Sequence, residues 1–308
     1  MKFRETPVSM KMRPSIKIHS WGGFGSQLFT LLQYKNLRTL LPDRELQIIF
    51  HSSGVTRRVV EIQALLTDVQ WLFIDDFREK SNPISFNRPY KTLNLIQNGT
   101  KRLIKLFLLK SGLIVELESR SDLSRIKPWT TSIRGHYSYF EYSVDNILSL
   151  QDAIEQLADK SSLNRFTDNS LLIQYRLGDL TKLFLKTYIN PRIIDLEAQR
   201  IISNKGTYKK ICILTDSPNY LSDLPLQFIS SRGYSVDTLS PLQTIIAGML
   251  ADNFIGTNSK ISLWIAIFRI LSGKRASLPE TFRNQLGYLA TENLMHFYTL
   301  NIAFQESP

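Results

Sequence analysis

One cysteine, Cys212, stands among 308 residues, and that scarcity excludes a disulfide framework and any cysteine-held metal cluster. The four histidines, His19, His51, His136 and His296, are scattered without ligand spacing, which argues against a zinc site. No D-x-D triplet occurs, so a carboxylate pair for magnesium or manganese is not signalled. No run approaches the roughly 18 uncharged apolar residues of a membrane-spanning helix. The opening residues, MKFRETPVSMKMRPSIKIHS, are basic but lack an apolar core of signal-peptide length. These absences lead to the expectation of a soluble or peripheral protein, and the cysteine usage suits a reducing cytosol.

What is present is apolar and basic. Hydrophobic residues make up 43% of the chain against 21% charged, enough for a packed core, and the length suggests about two domains. A net charge of +11 calls for an anionic partner: nucleic acid, a membrane surface or a phosphorylated small molecule. No helix-turn-helix, zinc-finger or RNA-recognition signature accompanies that charge, and the basic residues are spread along the chain, so nucleic acid is set aside.

Apolar runs alternate with amphipathic ones. SIKIHSW reads as a strand, SQLFTLLQYKNLRTLL as a helix, and ELQIIFHSS and VQWLFIDDF as buried strands. After residue 150 the alternation is cleaner. NSLLIQYRLGD, KKICILTDS, YSVDTLS and DNFIGTNS read as strands, and each is followed by a helical segment. This β-α-β logic predicts an α/β protein with parallel sheets. We divide it into a basic arm at 1–14, a Rossmann-like domain at 15–150 and a second at 151–308 that ends in helices. Facing each other, the two place an interdomain cleft at the carboxyl ends of both sheets, where such folds bind ligands.

Four polar turns should therefore meet that cleft. Gly22, Gly23 and Gly25 follow the first strand without the spacing of a dinucleotide fingerprint or the lysine of a P-loop. Arg176 follows the strand that contains Gln174, and its planar fork could grip a diphosphate with two parallel hydrogen bonds. A plain surface pair of Arg176 with Asp179 is the alternative. Asp216 could accept hydrogen bonds from a base edge or cap the helix that follows. Asn258, Ser259 and Ser262 surround a helix start, where free N–H groups and hydroxyls bind anions or merely cap.

Taken in order, GGFGSQLF, GHYSYFEY, YRLGD, TDS and NSKISLWIA resemble the motif series of the bacterial α-1,2-fucosyltransferase family (glycosyltransferase family 11-like), within the α-1,2/α-1,6/protein O-fucosyltransferase group. The resemblance runs from about residue 15 to 275. It implies a GT-B-like fold and an inverting, metal-independent transfer of L-fucose from GDP-β-L-fucose. The acceptor would be a hydroxyl, through an α-1,2 linkage, of a bacterial surface-polysaccharide or O-antigen precursor. It further implies that Arg176 grips the β-phosphate, that Asp216 lies at the guanine, and that Asn258, Ser259 and Ser262 line the diphosphate or fucose. Gln174 takes the place of a histidine that helps hold the base. Gly22, Gly23 and Gly25, with Gln27, would form the amino-side wall of the donor site, where backbone must approach the sugar closely. His136 and Tyr137 would meet the acceptor. No cofactor is implied beyond the co-substrate GDP-fucose. Asp179 and His19 are the positional candidates for general base. Two other readings stay open: another nucleotide-sugar donor on the same fold, or a catalytically silent nucleotide- or polyanion-binding protein.

The segment TKRLIKLFLLKSGLIVEL, residues 100 to 117, mixes lysines with leucine and phenylalanine. It could lie on an anionic membrane where a lipid-linked acceptor waits, which would place the protein on the cytoplasmic face of the inner membrane. A helix packed against the first sheet with its lysines solvated is the expected reading.

Overall fold

Strands of parallel direction make both sheets of the computed structural model, which describes residues 15–54, 56–77, 103–159, 161–167, 169–177, 189–205, 208–221, 226–289 and 293–300. The first unit contains β1 (Ile16–Ser20), α1 (Phe24–Leu40), β2 (Leu46–His51), β3 (Trp71–Ile74), α2 (103–110), β4 (Ile114–Glu116) and β5 (Ser132–Arg134). Its sheet has the order β3-β2-β1-β5-β4. Then α3 (Val144–Leu157) runs through residue 150, so the chain passes between sheets after this helix. The second unit contains β6 (Ser170–Gln174), α4 (Pro191–Lys205), β7 (Lys210–Leu214), α5 (Gln227–Arg232), β8 (Ser235–Asp237), α6 (Pro241–Leu250), β9 (Asn253–Gly256), α7 (Lys260–Leu271), β10 (Ala276–Pro279), α8 (Arg283–Leu286) and β11 (Met295–Tyr298). Its order is β11-β10-β9-β6-β7-β8. This is the α/β architecture expected, with the four strand-helix pairs of the second half in place. Among the described residues, the carboxyl end is not the run of helices expected: two further strands, β10 and β11, extend the sheet, with only the four-residue α8 and short 3-10 turns between them.

Local chemistry explains the elements. Every residue of β6 is buried, as a central strand covered on both faces should be. Leu171 and Ile173 pack into one core and Leu172 into the other, following the two-residue period of a strand. Pro191 and Pro241 open α4 and α6, where a missing N–H costs nothing. Ser240 and Gln243 close a reciprocal capping box on α6. From Ser262 through Ile270, α7 is buried on every side, the mark of a core helix rather than an amphipathic surface one. It packs against α1 and α3 of the first unit and α6 of the second, so one continuous core joins the two. There Trp264 donates its indole N–H to Gly25 O at 2.9 Å and lies 4.3 Å from the Phe29 ring.

Two expectations change. The run 71–74 was read as buried, but β3 is the edge of its sheet, and Trp71, Leu72 and Ile74 are exposed. The segment at 103–110 is helical, yet it is not packed down as expected: Leu103, Ile104, Leu106 and Phe107 are exposed, the last at 68%. Lys105 pairs with Glu116 at 2.7 Å. Lys101 and Arg102 lie outside the described residues, as does the arm at 1–14. Among the described residues, no helix is long and apolar enough to cross a membrane.

The core also carries a buried cation. Arg269 of α7 is fully covered, and its guanidinium donates to the carbonyls of Gly248 (2.7 Å), Ala251 (2.5 Å), Asp252 (2.8 Å) and Arg275 (2.7 Å). It thereby ties off the loops between α6, β9 and β10. Arg269→Met should leave those carbonyls without donors and destabilise the protein by about 3 kcal/mol, the order expected when buried acceptors lose a charged donor. Urea denaturation measures this; a loss near zero would mean that water replaces the guanidinium.

Candidate functional site

The second sheet numbers, within its own unit, 3-2-1-4-5-6 from β8 to β11, and the strand order reverses between β6 and β9. Ligands of open α/β sheets bind at such a reversal, beyond the carboxyl ends of the strands. Arg176 follows β6 there, and α7 starts there after β9. The two strand ends are laced together. Thr257 Oγ1 accepts from the Arg176 N–H and donates to Gln174 O, both at 3.0 Å. Ser262 Oγ accepts from the Thr257 N–H at 3.0 Å and donates to Gln174 Oε1. Asp216 Oδ1 accepts from the Leu177 N–H at 3.0 Å. Ser259 caps α7, accepting from the N–H groups of Ile261 (3.0 Å) and Ser262 (3.4 Å).

This lacing corrects part of the expected donor set. Ser262 is fully buried and braces Gln174, so it is a structural hydroxyl. Gln174 lines the cleft, but its side-chain oxygen is engaged by that brace. Gln27 is buried behind the glycine turn, where it donates to Gly22 O (3.1 Å) and Val59 O (2.6 Å) and accepts from the Glu61 N–H (2.8 Å). It secures the loop at 58–61 rather than meeting a ligand. Asp179 lies outside the described residues.

Arg176 and Lys260 carry the positive charge of the cleft at this point. Burial, and then the neighbouring Arg176, push the Lys260 ammonium down to about 8. Two cations that line one cavity, one of them largely buried, form an arrangement that an anion would relieve. Sequence reasoning missed Lys260, although it left a signal. It is the first residue of α7, where the helix dipole disfavours positive charge and an anion is favoured.

Across the cleft the first sheet reverses between β1 and β5. Trp21 and Gly22 follow β1, and Gly135, His136 and Tyr137 follow β5. Gly22 takes a left-handed φ of +101°, which a side chain would strain. A Cβ on Gly25 would lie 2.9 Å from the Lys260 backbone carbonyl carbon and from its Cβ. The bare turn therefore lets the amino end of α7 close against the first unit, and this contact, rather than a ligand, is what excludes a side chain at Gly25. Gly22, Gly23 and Gly25 still form cleft wall.

Two adjoining cavities result, of about 740 and 720 Å³. The smaller reaches Arg176, Asp216, Asn258 and Ser259 on one side and the glycine turn, Arg58 and Glu61 on the other. The larger lies on the first unit, lined by Trp21, Arg58, Lys105, Glu116, Arg134 and Tyr137 among others, and Lys260 and His136 belong to both. Tyr137 is buried, and its hydroxyl donates to the carbonyls of His19 (3.0 Å) and Ile133 (3.3 Å), so it offers an acceptor only its ring. His19 and His51 share a 2.8 Å hydrogen bond between Nδ1 and Nε2. Burial raises the Glu61 carboxyl above the usual range, against the opposing Phe24 N–H bond and the Arg58 charge. Neither Glu61 nor Arg58 lay in a recognisable motif.

No protein-family model and no curated protein matches the chain. Solved structures overlap it loosely. A family 9 glycosyl transferase from Veillonella parvula DSM 2008 aligns at TM-score 0.39 and 13% identity, over 87% of this chain and 81% of that one. A protein assigned as a UDP-N-acetylglucosamine 2-epimerase from Listeria monocytogenes aligns at 0.44 and 9%, over 94% and 85%. Overlaps this loose carry no functional assignment.

Lys260 gives the cleft a pH signature. Its folded pKa lies below that of a free lysine, so its burden on the fold is present below about pH 8 and is relieved as pH rises towards the ordinary value. Anion binding needs the charged form and should have the opposite slope. Affinity for sulfate, whose own charge is fixed in this range, should fall as pH rises through about 8, and Lys260→Gln should flatten that fall. Calorimetric titration reads both, and an identical slope in the variant would place Lys260 outside the anion site.

Proposed function

We propose that the chain is an inverting glycosyltransferase that moves L-fucose from GDP-β-L-fucose to a hydroxyl, through an α-1,2 linkage, of a bacterial surface-polysaccharide or O-antigen precursor. The observation that carries the reading is that Arg176 and Lys260 line one cavity at the reversal of the second sheet, beside the amino end of α7. The acceptor oxygen bonds to the anomeric carbon as the bond from that carbon to the β-phosphate breaks, and GDP leaves with the electron pair. Negative charge grows on the diphosphate, and preorganised cations and helix amides stabilise it most where they cost no reorganisation. In this reading Arg176 and Lys260 provide the charge that a metal would bring elsewhere. Asp216, exposed on the same cavity, would meet the guanine.

One observation favours a second reading, the same reaction with another nucleotide-sugar. Gln174, aligned with the base-holding histidine of the family, has its side-chain oxygen tied to Ser262. Hydrolysis of a panel of nucleotide-sugars by the purified protein in EDTA names the donor without needing the acceptor. With the correct donor, Arg176→Ala should lower transfer by about 10²–10³-fold, equivalent to roughly 3–4 kcal/mol. Arg176→Lys should recover little, because charge without the planar fork cannot hold two oxygens. Near-wild-type turnover in the alanine variant would remove the central support for this function.

The acceptor is proposed to be lipid-linked and met at the cytoplasmic face of an anionic membrane. In support, α2 presents Leu103, Ile104, Leu106 and Phe107 to solvent, and its Lys105 lines the larger cavity. Apolar side chains beside basic ones suit a headgroup boundary. The protein should float with vesicles containing anionic lipid at low salt, and Phe107→Glu should release it. Absence of flotation would leave the acceptor water-soluble.

A further inference from the structure

We propose that the larger cavity is a second anion site, in which Arg134 grips an oxyanion carried by the acceptor: a carboxylate of its glycan or a phosphate of its lipid linker. The inference rests on the transfer reading above and names the class of acceptor, an acidic one. Arg134 ends β5 and Trp21 follows β1, so the reversal of the first sheet brings both to the cleft. Both line the larger cavity, and neither lines the smaller one that holds Arg176. The larger cavity also takes in Lys105 of α2, the helix whose apolar side chains face solvent. A molecule bound there lies between the donor cavity and that helix.

The backbone around Arg134 is held tightly. Its carbonyl accepts from the Leu117 N–H at 2.7 Å, and Ile133 before it is fully buried. A Cβ on the next residue, Gly135, would stand 1.8 Å from the Leu117 carbonyl oxygen, so only glycine lets this turn follow β4 so closely. Arg134 Cζ lies 5.9 Å from the centroid of the Trp21 indole. That cation–π contact steadies the guanidinium without using its N–H donors. His51 stacks on the same indole at 4.6 Å and 10° and helps to fix it.

The charges around the cavity do not cancel. Among the described residues its lining holds Arg58, Lys105, Arg134 and Lys260 against two carboxylates, Glu116 and Glu118. Lys105 already takes Glu116 at 2.7 Å, and Glu118 is exposed. The Arg134 Nε–H is buried and meets no acceptor in the protein, and a buried donor left so is costly. Burial first, and then the Arg134 charge, push the His19 imidazole down to about 4. His19 is therefore neutral at physiological pH and supplies no counter-charge. Lys260, at the start of α7, adds to the field from the opposite wall. A carboxylate or phosphate offers the paired oxygens that a planar guanidinium matches. At about 740 Å³ the cavity has room for a sugar and its acidic substituent.

Calorimetric titration with three probes of one sugar ring tests the site: methyl β-glucoside, its acid methyl β-glucuronide, and glucose 1-phosphate. Saturating GDP fills the smaller cavity throughout. The wild-type protein should bind at least one acidic probe about tenfold more tightly than the glucoside, the order that one charge-assisted hydrogen-bonded pair contributes. A preference for the glucuronide places the acid in the glycan, and a preference for the phosphate places it in the linker. Arg134→Gln should remove the preference and leave GDP affinity nearly unchanged. Should that variant not fold, Arg134→Lys carries the comparison, because loss of the fork alone should remove most of the preference. Arg232→Gln deletes an exposed arginine that lines neither cavity and should keep the preference. Equal affinity for all three probes in the wild type overturns the proposal. So does an acidic preference that survives the loss of Arg134 or falls equally in Arg232→Gln, since the chain's net charge would then explain it. If GDP does not bind, the donor reading fails, and the same titrations on Arg176→Ala without GDP still decide the acidic site.

Discussion

The contact between the glycine turn and the start of α7 is the constraint on which the rest of the structure depends. The Trp264 indole reaches the Gly25 carbonyl, and the missing side chain of Gly25 lets the Lys260 backbone close in. These two facts set the two sheet reversals opposite each other. A bulkier turn would push α7 away, moving Lys260 from between the cavities and opening the shared core to water. A single close approach of backbone therefore serves both packing and electrostatics.

The two walls of the cleft then differ in chemistry. The second unit presents Arg176, Lys260 and helix amides, a surface for concentrated negative charge. The first presents an indole, the partly desolvated Glu61 carboxyl and further basic side chains, Arg58, Lys105 and Arg134. Basic side chains therefore stand on both walls, and what distinguishes the second is that its cations sit beside the amino end of a helix.

Much of this was legible in the residues. The alternation of apolar and amphipathic runs determined parallel sheets, and the turns after β1, β6, β7 and β9 were correctly placed at strand ends. Motif position did not reveal where side chains point. Gln27 and Ser262 sit within recognisable motifs, yet each spends its hydrogen bonds inside the protein, because a helix start must satisfy its own backbone and neighbours before it meets a ligand. β3 was read as buried because an apolar run looks the same at the centre and the edge of a sheet. Strand β10 was not expected because it ends in proline, which reads as a break rather than as part of an interior strand. The contact of His19 with His51 could not have been found, since only lateral strand pairing brings residues that far apart in sequence together.

The continuous core between the units has a consequence for motion. Clefts between separately cored domains open by hinge bending, which exchanges little buried surface. Here opening would expose α7, Phe29 and Trp264 together, so it would resemble partial unfolding. Ligands should enter and leave by rearrangement of loops at the cleft mouth while the sheets stay locked, and heat should melt both units in one transition.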